Sequence, residues 1–282
     1  MMSTRKKIWS VLLIIVAAVT INSCAKPNDT PVNPPVPPPP LPANVLSYGD
    51  SILYLQNQAT DYIVFPKTAQ QGTYTGFPEG IELDPVTGAI NISKSETGLR
   101  YRIVYHSPKG DSSVAYVVLS GITFTDHFYH LSAGDSIAPP VYNASVSRTL
   151  PLNGSTFDEG NSANSGGCSV KTNNGKINLA ETVRNGVFGN NPTNDIRKEF
   201  DIAYRINDGS SKSLNKLRVR LYYYATMADV APDLLQTLSD RQTDGVFIGG
   251  NFLSPTGTGI FSSSAIAAKA KPRPPCVIII AN

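Results

Sequence analysis

The sequence predicts an all-β fold, in which two tandem antiparallel β-sandwich modules follow a disordered N-terminal stalk. Three observations predict it: short segments alternate apolar and polar residues, a pattern of short motifs occurs twice, and Pro and Gly are frequent, at 22 each in 282 residues. Alternation with a period of two indicates strands that bury one face, and frequent Pro and Gly indicate many turns. Long helices are therefore not expected.

The charge of the chain is balanced once its first residues are set aside. The chain has 24 basic and 21 acidic residues. Three of the basic residues (Arg5, Lys6 and Lys7) lie within residues 1–23, which contain no acidic residue, so 21 of each sign remain. Nucleic-acid binding requires a basic surface or stripe. We therefore expect no nucleic-acid partner.

Residues 1–23 have the organisation of an export signal peptide. The cations at residues 5–7 precede an apolar stretch at residues 8–19, and the segment ends with Ile-Asn-Ser-Cys at residues 21–24. The apolar stretch is shorter than the roughly 20 residues that span a bilayer. We therefore predict that the segment is removed after export.

The end of this segment resembles the lipobox of bacterial lipoproteins, which Ile21, Ser23 and Cys24 match and Asn22 does not. The resemblance implies that Cys24 receives a lipid and becomes the new N-terminus, and multiple acyl chains give a stable membrane anchor. Because Ala25 rather than Asp follows the cysteine, the resemblance implies an outer-membrane location, periplasmic or surface-exposed. A plain secretory signal with an incidental cysteine is the alternative.

Residues 24–44 are predicted to be a proline-rich tether. Nine of the sixteen residues at 27–42 are proline. Such a segment favours the extended polyproline II conformation, which rises about 3.1 Å per residue. The tether would therefore hold the folded body on the order of 50 Å from the lipid.

An internal repeat divides the remaining chain. Gly-Asp-Ser-Ile occurs at residues 49–52 and again at 134–137, and a Gly-x-Ile-Asn motif follows at residues 88–91 and 175–178. The two motifs have the same order and nearly the same spacing in both copies. We therefore predict a first module at residues 45–121 and a second at residues 122–282.

Each predicted module ends in a strand, a turn and a strand. In the first, residues 101–105 and 114–119 flank a turn at residues 108–111; in the second, residues 200–206 and 217–223 flank Asn-Asp-Gly at residues 207–209. Both are patterns of antiparallel hairpins. A C-terminal extension at residues 229–282 should begin with a helix at Pro232 and end with a buried strand at residues 276–280.

Residues 77–105 resemble the immunoglobulin-like, cadherin-like repeats of bacterial surface proteins. The matching positions include Pro78, Gly80, Asp84, Thr87 and Gly88, followed by Gly98, Tyr101 and Ile103. The resemblance implies modules that space, adhere or bind and do not catalyse, which is an argument by analogy.

Cadherin relatives bind calcium through clustered carboxylates, and Asp84, Asp126 and Asp135 are the candidates here. They stand singly, so capping of turns is the alternative role. We expect no resident cofactor.

Two catalytic or metal sites can be considered from short motifs. Gly-Asp-Ser at residues 49–51 resembles the first block of GDSL-type esterases, with Ser51 as nucleophile, but no Asp precedes a His by three positions, as that family's base requires. Asp126, His127 and His130 could suggest a metal site. Strand residues three apart point to opposite faces, so the two imidazoles should diverge. We therefore predict neither site.

Cys168 and Cys276 are the cysteines that remain after Cys24. In an oxidising compartment, such a pair predicts a disulfide that ties the C-terminal strand to the second module. Two buried free thiols are the alternative.

Arg218, Arg220, Tyr222 and Tyr224 should share one face of a strand. If exposed, arginine and tyrosine side chains could stack on sugars or bind a protein partner. The alternative is that another sheet or the C-terminal extension covers this face.

Together these patterns predict a non-catalytic, lipid-anchored protein of the cell envelope that acts in adhesion, assembly or ligand capture. Its partners would be the membrane, through the anchor, and an envelope protein or a glycan. The alternative functions are a glycan-binding lipoprotein of a nutrient-uptake system and, with less support, an esterase.

Overall fold

The computed structural model describes residues 45–242, 247–248 and 273–282. The chain divides into two units, Met1–Leu41 and Pro42–Asn282, and all described residues belong to the second. The predicted signal peptide, Cys24 and the tether at residues 24–44 lie outside the described residues. No helix within the described part of the chain combines the length and the apolar composition that crossing a membrane requires.

The N-terminal sheet has four strands in the order β1-β6-β5-β3. They are β1 (Ile52–Leu53), β3 (Thr73–Phe77), β5 (Arg100–His106) and β6 (Ser112–Leu119). A separate pair joins β2 (Ile63–Val64) to β4 (Ile90–Asn91). The predicted hairpin is confirmed, because β5 and β6 pair antiparallel around a turn in which Gly110 has a φ of 92°.

The C-terminal sheet has five strands in the order β11-β13-β14-β15-β8. They are β8 (His127–His130), β11 (Thr156–Phe157), β13 (Ile196–Arg205), β14 (Asn215–Tyr224) and β15 (Cys276–Ile280). Two small pairs accompany it, β7 (Ile122–Thr123) with β10 (Val141–Tyr142) and β9 (Ile137–Ala138) with β12 (Ile177–Asn178). The hairpin predicted for this region is the antiparallel pair β13–β14.

Helices are short and few in the described residues. They are α1 (Ser162–Ser165), α2 (Leu179–Arg184) and α3 (Pro232–Gln242), with 3-10 turns at Leu131–Ala133 and Met227–Asp229. The helix predicted at Pro232 is confirmed, because the ring of proline suits the first turn of a helix, where its missing N–H is not needed.

The buried residues form separate cores. One core lies under the N-terminal sheet and runs in sequence from Leu46 to Leu119. A second begins at Ile122 and includes Tyr204, Val219 and the alternate residues of β15. The first core ends at Leu119 and the second begins at Ile122, and each sheet buries its own alternating face.

The later motif of the predicted repeat forms matching turns in its two copies. Gly88 and Gly175 have φ angles of 71° and 70°, and their N–H groups donate to the carbonyls of Asp84 and Lys171 at 2.9 and 2.8 Å. A Cβ at either glycine would come within 2.7–2.8 Å of an aromatic ring, that of Tyr74 or Phe157. Both positions therefore require glycine, for its positive φ and for space.

The first half of the repeat is not structurally equivalent. At residues 49–52 the motif leads into β1, which pairs parallel with β6, whereas at residues 134–137 it leads into β9, which pairs antiparallel with β12. The correspondence inferred from these four residues is therefore wrong. A short glycine turn before a strand suits either setting, because the tetrapeptide carries no information about the pairing partner.

The prediction of purely antiparallel modules also needs correction. The β1–β6, β14–β15 and β15–β8 pairs are parallel. In the N-terminal sheet β1 pairs directly with β6, but in the C-terminal sheet β15 lies between β8 and β14. All five residues of β15 are buried, as predicted, because the strand is central in the sheet and covered on both faces.

Candidate functional site

The face predicted to bind a ligand is largely covered. Tyr222 and Tyr224 are 2% and 0% exposed. They pack with Val230, Leu234 and Leu238 of the C-terminal extension and with alternate residues of β15. The tyrosine half of the predicted face is therefore a small core beneath α3, and its assignment as a ligand surface is wrong.

The arginine half of that face is exposed but paired with carboxylates. Arg218 Nε donates to Asp201 Oδ1 at 2.9 Å, and Arg220 Nε donates to Glu199 Oε1 at 2.8 Å. Lys216 Nζ lies 3.3 Å from Asp201 Oδ2. The hydrogen bond from Arg218 is the main cause that lowers the pKa of the Asp201 carboxyl. The arginines therefore have partners within the sheet.

The outer face of the N-terminal sheet differs, because residues that alternate with its core side chains point to solvent. Cross-strand register arranges these outward residues in three rows. The first is the aromatic–arginine row, Phe77–Arg102–Tyr116. The second is Thr75–Val104–Val114, and the third is Thr73–His106–Ser112. Phe77, Arg102 and Val104 are half-buried, and the other six are exposed.

Arginine side chains stack on both aromatic rings of this face. The guanidinium carbon of Arg100 lies 4.3 Å from the centroid of Tyr116, and that of Arg102 lies 5.9 Å from the centroid of Phe77. Both distances are within the range of cation–π attraction. Tyr116 is nevertheless 52% exposed, and Val114 beside it is 45% exposed. The row is ordered by its own contacts and remains accessible.

The basic side chains of this outer face lie on β5. The outward positions of β3, β5 and β6 include Arg100, Arg102 and His106, and none of them is Asp or Glu. The corresponding positions of β13 and β14 alternate carboxylates with cations. The outer face of the N-terminal sheet therefore combines arginine with exposed aromatic and aliphatic side chains, and we take it as the candidate functional site.

Sequence reasoning missed this surface, although a signal for it was present. The alternation of residues 100–106 places Arg100 and Arg102 on one face, and the hairpin register brings Tyr116 opposite Arg102. The run of tyrosines at residues 222–224 was the more conspicuous pattern. The aromatic end of that strand is covered in the structure.

The carboxylates considered for calcium have other roles. Asp84 Oδ1 accepts from the N–H groups of Val86 and Thr87 at 2.8 and 2.9 Å, and these bonds are the main cause that lowers its pKa. Asp126 forms an ion pair with Arg241 at 3.0 Å. Asp135 lies 3.6 Å from His127 Nε2. The capping role considered for these residues is therefore observed for Asp84.

The metal site considered at Asp126, His127 and His130 is not assembled. His127 and His130 are an odd number of positions apart on β8, so their side chains leave opposite faces of the sheet. Within residues 45–242, 247–248 and 273–282, no three His, Cys, Asp or Glu side chains form a group that could hold a metal ion.

In the esterase alternative, Ser51 lies far from His106. The Ser51 carbonyl accepts from Val118 N–H at 2.8 Å, which places this serine at one end of β6. His106 lies opposite Ser112, six residues further along β6, a distance of about 20 Å at strand rise. The geometry therefore places this imidazole too far away to take a proton from Ser51.

The predicted disulfide is not formed. Cys168 and Cys276 are both buried, free thiols. Cys168 belongs to the core that contains Val277 and Ile279, whereas Cys276 packs with Leu234 beneath α3. Successive residues of β15 point to opposite faces, so the C-terminal sheet separates the two sulfurs. Burial raises the pKa of the Cys168 thiol to about 12, as expected for an unreactive core cysteine.

A polar junction lies between the two cores and was not anticipated. Tyr204 hydroxyl lies 2.7 Å from Thr97 Oγ1 and accepts from Ile122 N–H at 3.2 Å. Asp208 Oδ2 accepts from Ser120 Oγ at 3.0 Å and from the Tyr142 hydroxyl at 2.7 Å. Of these residues, Ser120, Tyr204 and Asp208 line a small open cleft. A single carboxylate engaged by hydroxyls suits a hydrogen-bonded joint rather than a cation site.

Comparison with known proteins gives remote structural likenesses. No family model and no curated protein matches the chain. Drosophila N-cadherin EC1-4 is similar over 64% of this chain and 47% of its own length, at 11% identity and a TM-score of 0.19. Mouse clustered PcdhgC3 EC1-3 is similar over 64% of this chain and 67% of its own, at 9% identity and a TM-score of 0.19. Likenesses at this level support no conclusion about fold or function.

Proposed function

We propose that this chain is a non-catalytic, lipid-anchored protein of the bacterial cell envelope that binds a ligand through the outer face of its N-terminal sheet. The observation that carries the proposal is the exposed ring of Tyr116 at the end of the aromatic–arginine row, with the guanidinium carbon of Arg100 stacked 4.3 Å from its centroid. Tyrosine and arginine are the side chains most often dominant in binding surfaces. A soluble domain rarely leaves such side chains clustered and open without a partner.

The anchor in this proposal rests on the sequence. The cationic start, the apolar stretch and the Ile-Asn-Ser-Cys ending support lipidation of Cys24, and Ala25 supports an outer-membrane location. Replacing Cys24 with serine should release the protein from membranes. Unchanged retention of the Cys24→Ser variant in the membrane fraction would contradict the anchor.

The tandem arrangement of two immunoglobulin-like sandwich modules belongs to the same proposal. Two separate cores and the matching turns at Gly88 and Gly175 support it. The polar junction at Tyr204 and Asp208 would then be the joint between the modules. A joint with hydrogen bonds on both sides would hold the two modules in one orientation.

A glycan is a specific candidate for the ligand. Phe77 and Tyr116 lie in one cross-strand row on an exposed sheet face, which is the arrangement that flat sugar rings can occupy. An envelope protein is the other candidate for this face, and adhesion or assembly would then be the function. Both functions predict that the same residues carry the binding.

The proposal can be tested with the full chain displayed on bacterial cells. Binding to a printed glycan panel and to isolated envelope proteins should fall at least tenfold when Tyr116 is replaced by alanine. Arg218→Ala, an exposed arginine of the C-terminal sheet, is the matched control and should bind as the wild type does. Equal binding by the wild type and the Tyr116→Ala variant would contradict the proposal.

A further inference from the structure

Arg100 differs from the outer arginines of the C-terminal sheet in what its guanidinium contacts. On the C-terminal sheet, Arg218 and Arg220 each donate to a carboxylate of β13. On the N-terminal sheet, Arg100 instead stacks on Tyr116, and none of the outward positions of its three longer strands is acidic. A carboxylate of a ligand could occupy at Arg100 the position that the carboxylates of β13 occupy at Arg218 and Arg220.

Stacking prepares Arg100 to receive an anion. A guanidinium that lies over a ring uses the plane of the group for that contact, so its N–H groups remain directed outward around the edge. That edge matches the two oxygens of a carboxylate and can bind them with two hydrogen bonds. The ring also restricts the side chain, which lowers the entropy that binding must overcome.

The polar groups of this face are spread along β5, which suits a ligand longer than one sugar. Arg100 and Arg102 are two residues apart on β5, about 7 Å along the strand. His106 lies about 14 Å beyond Arg102, beside the hydroxyls of Thr73 and Ser112. The basic groups therefore form a line along one strand, flanked by groups that donate and accept hydrogen bonds.

The side chains of this face favour a sugar polymer over an acidic protein. A protein hot spot requires a desolvated apolar pocket at its centre. Here the central row contains only Val104, Val114 and a threonine on an open sheet. The other rows offer aromatic, guanidinium, imidazole and hydroxyl groups, which can together contact the ring, the carboxylate and the hydroxyls of an acidic sugar.

From this arrangement we infer that the outer face of the N-terminal sheet binds an acidic polysaccharide, a chain of sugars that carry carboxylates. Arg100 binds a carboxylate, Tyr116 supports Arg100 and contacts the sugar ring, and the third row hydrogen-bonds hydroxyls further along the chain. The inference rests on the proposed function and specifies the ligand class of the same face.

The test uses the full chain in detergent and three polyuronates, namely polygalacturonate, alginate and hyaluronan. We expect binding to at least one of them, weakened by added salt because the contacts are exposed. Arg100→Gln should reduce it at least tenfold, and Arg218→Gln, the matched control, should leave it unchanged. Methyl-esterified polygalacturonate has the same backbone without the charge, and it should not compete. The melting temperature of each variant should equal that of the wild type, which would exclude a folding defect.

The outcomes separate this inference from the proposed function. Binding to none of the polyuronates, equal binding of the methyl ester, or equal binding of dextran sulfate would overturn the acidic-sugar inference. A neutral glycan or an envelope protein that binds the wild type but not Tyr116→Ala would overturn the inference and leave the proposed function standing. If neither the Arg100 nor the Tyr116 substitution weakened the binding of any ligand, both the inference and the proposed function would be overturned.

Discussion

The outer faces of the two sheets derive from the same strand alternation and have opposite surroundings. On the C-terminal sheet, Tyr222 is 2% exposed beneath α3, and the arginines beyond it pair with carboxylates. On the N-terminal sheet, Tyr116 is 52% exposed and stacks with Arg100. The difference shows that a pattern of Arg and Tyr on one strand face does not define a binding surface. What defines it is whether another part of the chain covers the face.

The largest expected effect contrasts these two tyrosines. Tyr222→Ala should lower the free energy of unfolding by about 3–5 kcal/mol, because it removes a buried ring and leaves a cavity. Tyr116→Ala should lower it by only about 0.5 kcal/mol, because the ring is largely exposed. Urea denaturation of both variants measures the contrast. Similar losses for the two variants would mean that the faces are not differently covered.

The next effect concerns the cover itself. Leu234 of α3 is 3% exposed, and Leu235 beside it is 43% exposed. Leu234→Ala should destabilise the protein by about 2–4 kcal/mol and Leu235→Ala by less than about 0.5 kcal/mol. Thermal unfolding provides the comparison, with Leu235→Ala as the control on the same helix. If the two leucines were equivalent, α3 would not cover the sheet through this face.

A third effect tests how the end of α3 and the start of β15 are held. Asp126 Oδ1 accepts from Arg241 Nη1 at 3.0 Å and from the Cys276 N–H at 2.6 Å, and both charged side chains are less than one-fifth exposed. Arg241→Met should cost about 2–3 kcal/mol, because it leaves a largely buried carboxylate without its cation. The measurement is urea denaturation.

The exposed ion pairs of Arg218 and Arg220 on the C-terminal sheet supply the contrast for the Asp126–Arg241 pair. Arg218→Ala should lower the free energy of unfolding by less than about 1 kcal/mol, because the side chain of Arg218 is 51% exposed. If Arg241→Met were as mild as Arg218→Ala, the Asp126–Arg241 pair would not hold the end of α3 to the start of β15.

The smallest expected effect is a pH dependence of the stability that the Arg218–Asp201 pair contributes. Arg218 holds the pKa of Asp201 below its usual value of about 4. A carboxyl whose pKa is lower in the folded state adds stability above the pKa of the unfolded state, and this stability is lost as the pH falls through the folded value. The free energy of unfolding of the wild type should therefore exceed that of Asp201→Asn by up to about 1 kcal/mol at pH 7, and the difference should shrink as the pH falls below about 4.

Parallel melts of the two proteins from pH 7 to pH 3 measure this difference. A gap between wild type and Asp201→Asn that stayed constant across that range would mean that the carboxylate of Asp201 does not contribute through its charge.

Much of the fold could be predicted from local patterns. The hairpins β5–β6 and β13–β14 follow from alternation around short turns, the helix begins at Pro232, and β15 is a fully buried apolar strand. These elements depend on neighbours within a few residues, which the sequence displays directly. The turns at Gly88 and Gly175 were predictable for the same reason.

The candidate site could be predicted only in part. Alternation assigns Arg100 and Arg102 to one strand face as readily as it assigns Arg218 and Arg220 to another. Which of the two faces remains open depends on α3. This helix begins at Pro232, after β14 has ended at Tyr224, and it packs back on the C-terminal sheet. The separation of Cys168 from Cys276 depends in the same way on β15 lying between β8 and β14.

The sequence alone therefore determined the β-rich character, the hairpins, the glycine turns and the membership of each strand face. The tertiary structure decided which strands pair over long range, that the two thiols face opposite sides of one sheet, and that one outer face is covered while the other is open. The physical reason is that strand and turn preferences are local, whereas burial depends on how distant segments compete to cover apolar surface.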